Sequence, residues 1–232
     1  MRSYWVSMST KQRSASQKPP EKKSGSNTSM ILWIVGGVVG LGLIVLLALA
    51  IAGEESVDDA VVFGEVTVEG ADLPFFDVTA EDPAMGIVAP TVSGEDWNGN
   101  EYTIGADGRA KIIIMLAHWC PHCQAEVPVV QDWVDGGNLP EGVDLYGVTV
   151  LTNRLRDGNT WPPSKWLEGE GWTVPTIMDD EDGSIVAAYG LTSTPTYVVL
   201  DGDNVNLGRI AGEIGTAGLD ALAAIAAASL EG

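Results

Sequence analysis

Apolar and polar positions change rhythm several times along the chain, and each change predicts an element. Met30 to Ala52 carries no charged residue and includes Ile31, Leu32, Trp33, Ile34 and Val35 and the block Leu41 to Ile51. At about 1.5 Å per residue that length covers a bilayer core of roughly 30 Å, so it predicts one transmembrane helix. After a mixed acidic stretch, Leu73 to Val78 predicts a short strand, and Asp82 to Pro90 a loop. Trp97-Asn98-Gly99-Asn100 predicts a tight turn feeding a hairpin strand through Tyr102 and Ile104. Lys111 to Ala117 is almost wholly apolar, as in a strand covered on both faces. Pro121 to about Val134 places Val127, Val130 and Val134 at helical spacing, with Pro128 inside it.

Further on, Val143 to Leu151 predicts a second buried strand. Pro162-Pro163 opens a short helix through Trp166 and Leu167. Val174 to Met178 follows as a parallel strand, Ile185 to Tyr189 as a short helix, and Tyr197 to Leu200 with Val205 to Ile210 as a hairpin. Thr216 to Leu230 is an alanine-rich closing helix. The order βαβαβ followed by ββα predicts an α/β fold with a mixed sheet covered on both faces.

Charge divides the chain. Met1 to Ser29 holds six of the 12 basic residues and one acid, Glu21, whereas the other acids among the 32 all lie beyond Gly53. Basic residues beside a span are retained on the cytoplasmic side. The expected organisation is a disordered cytoplasmic tail (1–29), a single span (30–52), a linker (53–71) and an extracytoplasmic domain (72–232) at the plasma membrane. A cleaved leader ending at Ala50-Ile51-Ala52 is the alternative. The acidic outer part lacks the clustered positive charge that nucleic-acid phosphates require.

Only two cysteines occur, in Trp119-Cys120-Pro121-His122-Cys123. A bridge across two intervening residues closes too small a loop to restrict the unfolded chain appreciably, so the spacing points to exchange chemistry rather than a staple. A strand delivering Cys120 to the first turn of a helix sets its sulfur at the positive end of the helix dipole, which favours the thiolate. Pro121 suits the first helical position, and Cys123 falls one turn on along the same face. His122, if charged, stabilises a Cys120 thiolate; His118 is expected on the side of Cys120's approach or at the rim, where solvation is a commoner role than tuning. Glu126 is a candidate for water-mediated proton transfer, although an exposed helix glutamate is the commoner case. A metal chaperone using His118, Cys120, His122 and Cys123 is the binding-protein alternative. Four ligands within six residues strain to surround one ion, so no metal is assigned. Trp161, Trp166 and Trp172 are expected to cover the edge of the core.

The run Trp119 to Cys123, Glu126-Val127-Pro128, Val174-Pro175-Thr176, Asp179 to Gly183, Tyr189-Gly190 and Thr194-Pro195-Thr196 resembles the thioredoxin-like superfamily. Within it, the stretch from about Pro90 to Gly212 is similar to the membrane-anchored TlpA/ResA-like thiol–disulfide oxidoreductases. The resemblance implies a thioredoxin fold, a redox-active Cys120/Cys123 disulfide as the sole redox group, and Trp119 in the active site. It further implies a cis Pro195 against that disulfide, with Thr194 presenting its backbone to the client. Cysteine-bearing client proteins and a membrane redox partner are implied as well. The expected activity is disulfide reduction, in cytochrome c maturation or envelope thiol maintenance. The Pro-His dipeptide matches DsbA and points to oxidative folding as the alternative.

Overall fold

The computed structural model describes residues 39, 41–42, 60–156 and 158–231. The expected cytoplasmic tail and nearly all of the expected span therefore lie outside the described residues. No described helix is long and apolar enough to cross a membrane. The chain divides into Met1–Glu54 and Glu55–Gly232, and the elements below belong to the second unit.

In chain order they are β1 (Thr67–Glu69), β2 (Thr91–Glu95), β3 (Glu101–Ile104), β4 (Ala110–Leu116), α1 (Pro121–Asp135) and β5 (Val143–Thr149). There follow α2 (Pro163–Gly169), β6 (Thr176–Met178), α3 (Ser184–Ala188), β7 (Thr196–Leu200), β8 (Asn206–Ala211) and α4 (Gly215–Ala228). A five-stranded sheet has the order β6-β5-β4-β7-β8 and a three-stranded sheet the order β1-β2-β3. β4 runs parallel to β5 and antiparallel to β7, with Ile114 opposite Gly147 on one side and Tyr197 on the other.

Strand alternation sorts the core of the larger sheet into two layers. Ile112, Ile114 and Leu116 pack with Val127 and Val130 of α1, Trp166 and Leu167 of α2, and Leu219 and Leu222 of α4. Ile113 and Met115 face the other way, against Ile185 of α3 and against Val92 and Ile104 of the small sheet. β4 is buried throughout, which is why its sequence shows no polar alternation. Trp166 and Trp172 are buried, the Trp172 indole donating to Thr176 Oγ1 at 2.8 Å, in keeping with a role in the core rather than at the surface.

Two segments depart from expectation. Leu73 to Val78 is not a strand: the Leu73 and Phe76 amides donate to Ala188 and Gly190 carbonyls at the end of α3. The segment lies so close that a Cβ on Gly190 would meet Pro74 O at 2.5 Å, and Gly190 has φ +60°. Glycine is required there. The stretch 53–71 includes β1, which pairs with β2, and the buried Val62. Its C-terminal part is therefore packed into the domain.

Candidate active site

α1 begins where β4 ends. Cys120 is its N-cap residue, with extended φ −83° and ψ 118°, and Pro121 opens the first turn. The Cys120 amide bonds back to Ala117 O at 2.9 Å, and its carbonyl accepts the first helical bond, from Gln124 N at 3.1 Å. The backbone thus turns sharply out of the buried strand and leaves the sulfur at the helix mouth.

The two thiols sit in different surroundings. Cys120 is 6% exposed, whereas Cys123 is fully buried. Burial opposes the Cys120 thiolate, but hydrogen bonds from the Thr194 side chain, from the amide and thiol of Cys123 and from the His122 amide outweigh it and hold the thiol below its usual value. The Thr194 carbonyl, 3.3 Å from Cys120 Sγ, accepts from the protonated thiol alone. For Cys123 burial wins, and the thiol is pushed up to about 12 even though the Ala117 amide donates to its sulfur at 3.5 Å. Both thiols are free of a bridge. The arrangement favours the thiolate at Cys120 and the protonated thiol at Cys123.

The remaining expected residues gather here, with corrections. The Thr194–Pro195 bond is cis, and Pro195 O accepts from Gly212 N at 2.8 Å. The Trp119 indole donates to Leu151 O at 2.8 Å, with the Arg156 guanidinium 4.2 Å above its ring centre. Glu126 is buried, not exposed. Its Oε1 accepts from Tyr197 OH (2.8 Å), Ile214 N (3.0 Å) and Gly215 N (3.1 Å). His118 is buried rather than at the rim. Its Nε2 accepts from Asn153 N at 3.4 Å, its Nδ1 has no hydrogen-bond partner, and its ring meets Trp161 edge-on. Burial, with Arg156 adding to it, holds this imidazole below its usual value and so neutral at pH 7.

His122 turns outward to Glu213. Its Nδ1 pairs with Glu213 Oε1 in an exposed ion pair, and hydrogen bonding and charge from that carboxylate hold the imidazole above its usual value, with a smaller contribution from Cys120. His118 and His122 point to separate partners, Asn153 and Glu213. Among the described residues no three of His, Cys, Asp and Glu gather as metal ligands.

Sequence reasoning missed Glu213, Tyr197 and Leu151. Tyr197 had a usable signal: it alternates with buried apolar residues on β7, and a buried phenol needs a partner. Glu213 had none, because its partner lies 91 residues away.

Comparison with known proteins bears on this site. A family model described as AhpC/TSA family matches residues 80–206, more than half of the chain and all of the redox motif. The chain belongs to the AhpC/TSA family. This AhpC/TSA protein is 24% identical over 111 residues to sporulation thiol-disulfide oxidoreductase A of Bacillus subtilis, a match covering 48% of the chain and 61% of that relative. The chain thus matches less than two thirds of the relative's length. The crystal structure of StoA from Bacillus subtilis aligns at TM-score 0.48 and 20% identity, over 60% of this chain and 98% of that one. A candidate protein disulfide isomerase from Bacteroides thetaiotaomicron aligns at TM-score 0.50 and 16% identity, over 64% and 91%. The thioredoxin-like α/β fold expected from the motifs is borne out, and so is the resemblance to thiol–disulfide oxidoreductases at the level of the family.

Proposed function

We propose that this chain is a protein thiol–disulfide oxidoreductase in which Cys120 is the nucleophile and Cys123 the resolving thiol. The observation that carries the reading is their asymmetry: a favoured thiolate at a helix mouth beside Thr194 and cis Pro195, and a buried thiol one turn behind it.

In the reducing direction, the Cys120 thiolate attacks one sulfur of a client disulfide. A Cys120–client bond forms, the client S–S bond breaks, and one client thiolate leaves. Cys123 then loses its proton and attacks Cys120 Sγ; the protein disulfide forms and the second client thiolate is released. Two electrons pass from the Cys120/Cys123 dithiol to the client. The Thr194 backbone, freed beside Pro195, positions the client, and Trp119 covers one side of the pair. Tyr197 and Cys123 share one buried cluster, and Glu126, which accepts from Tyr197 OH, stands on the helix of Cys123, so the Glu126–Tyr197 pair offers a route for the Cys123 proton through water.

Reduction of client disulfides is the favoured direction, on the family resemblance of the motifs. Oxidation is the second reading because His122 is held toward its charged form, and a stabilised reduced form makes a disulfide more oxidising. Anchoring by Met30–Ala52, an extracytoplasmic catalytic domain and a membrane redox partner complete the proposal, supported by the uncharged stretch and its basic flank.

The test is trapping combined with a potential. Cys123→Ser should accumulate mixed disulfides through Cys120, visible as adducts that reductant removes. The full chain should equilibrate with thiol–disulfide buffers, near about −270 mV for a reductase or near about −120 mV for an oxidase. A chain that neither traps clients nor exchanges with the buffer would refute the reading.

A further inference from the structure

The loop between β8 and α4, Gly212 to Gly215, touches three parts of the site at once. Gly212 N donates to Pro195 O, the amides of Ile214 and Gly215 donate to Glu126, and Glu213 holds His122. The first three contacts come from backbone. Glu213 adds a polar side chain, and it reaches the one titratable residue between the two cysteines. The charged and titratable groups that act on His122 are Glu213, from this loop, and Cys120, at the start of its own helix.

We propose that Glu213 is a positioning residue that sets the redox poise of the Cys120/Cys123 pair through His122. The inference rests on the oxidoreductase reading above. Its physical basis is the Glu213–His122 ion pair, held two residues along the chain from Cys120. Without Glu213, an exposed histidine is mostly neutral at pH 7.5. With it, the imidazole keeps its proton to higher pH and presents a positive charge to the Cys120 thiolate, which exists only in the reduced protein. The cation therefore favours reduction of the disulfide, and Glu213 acts by maintaining that cation.

Glutathione makes the balance explicit. Two glutathione thiols supply two electrons and two protons. The Cys120–Cys123 bond breaks, and glutathione disulfide forms. One proton goes to Cys123 Sγ, Cys120 emerges as the thiolate, and the second proton is released to water. Only the side holding the thiolate feels the His122 charge.

The experiment measures the equilibrium constant of the full chain with reduced and oxidised glutathione at pH 7.5 and pH 5.5, for wild type, Glu213→Gln, His122→Ala and the double variant. At pH 7.5, Glu213→Gln should lower the constant on the order of threefold, the scale of an exposed ion pair; tenfold would correspond to about 30 mV. At pH 5.5 His122 is charged in either protein, so the ratio should fall to one or invert. In 1 M salt, where screening acts within about 3 Å, the pH 7.5 difference should shrink. The His122→Ala background should abolish it, and Glu213→Asp should restore part of it. An equal change at both pH values, or one that persists without His122, would mean that Glu213 only anchors its loop and would overturn the proposal. Failure of the wild type to exchange with glutathione at all would instead overturn the oxidoreductase reading, and the proposal with it.

Discussion

Tyr197 and Glu126 meet across the interface of sheet and helix, the phenol donating to the carboxyl oxygen at 2.8 Å. The same oxygen takes two backbone amides at the start of α4. One buried side chain therefore joins the active-site helix, the strand that follows Pro195 and the C-terminal helix. Removing one donor should cost less than removing the shared acceptor, because a buried donor left unpaired forfeits its full desolvation energy. Tyr197→Phe should destabilise the protein by about 1–2 kcal/mol and Glu126→Ala by roughly 3 kcal/mol or more. Guanidinium titration followed by tryptophan fluorescence measures both; equal losses would contradict the shared-acceptor picture.

The reduced protein should carry one alkylatable thiol. Between pH 6 and 9, iodoacetamide should modify Cys120 and leave Cys123 untouched, since Cys123 is fully buried and its thiol is pushed up to about 12. Peptide mass mapping locates the label. Cys120→Ser should be inert over that range, and appreciable labelling of Cys123 in the native protein would contradict the arrangement.

Asp179 supplies a pH signature. Its carboxyl caps the start of α3, Oδ1 accepting from Ile185 N at 2.8 Å and Oδ2 from Val186 N at 3.3 Å. Burial nevertheless raises it to about 6, against an ordinary value of 3.8. The folded state then holds a proton that the unfolded chain gives up between those values. Stability from this group is fully present below about pH 4 and is lost as pH rises through 6, a change of about 3 kcal/mol at most. Asp179→Asn cannot lose that proton. Its stability relative to wild type should therefore improve from pH 4 to pH 7 in urea melts, and a relative stability flat across the window would count against the raised value.

Arg209 ties the segment before β2 to the sheet edge. Its guanidinium bonds Asp82 at 2.5–3.2 Å and the carbonyls of Pro74 (2.9 Å) and Tyr189 (2.7 Å), and stacks over Phe76. Arg209→Ala leaves the buried Asp82 carboxylate and the Pro74 and Tyr189 carbonyls without that partner and should cost about 3–5 kcal/mol. Arg209→Lys, with a point charge in place of a fork, should recover only part. Limited proteolysis should reveal new cleavage between Val78 and Met85 in the alanine variant, and unchanged resistance would show that Arg209 is not the tie.

Where the sequence was legible, a local pattern and the tertiary demand coincided. β4 could be read because a strand buried on both faces is apolar nearly throughout, Lys111 apart, and α1 because Pro121 and the valine spacing mark its start and its inner face. Leu73 to Val78 misled for the opposite reason. Its apolar residues serve burial, but its amides find the end of α3 instead of a neighbouring strand, and nothing local encodes that choice. Glu126 and His118 were expected in water because acids and histidines usually lie there. Each is buried against a partner supplied from elsewhere in the chain, Tyr197 for one and Asn153 for the other. Both cysteines were legible as a pair; the difference between them is set by depth, which spacing does not carry.

The full enclosure of β4 also turns the strand into a gauge. Ile112 to Met115 are held by β5 on one side and β7 on the other and have no exposed surface, so their amide hydrogens should exchange with solvent only when the whole domain opens. Their exchange rates, measured in the reduced and in the oxidised protein, report the stability of each redox form. By a closed thermodynamic cycle, the difference equals the amount by which folding biases the disulfide relative to the unfolded chain. A strand with no chemistry of its own would thus record, in deuterium uptake, whether folding favours the open or the closed form of the cysteine pair beyond its end.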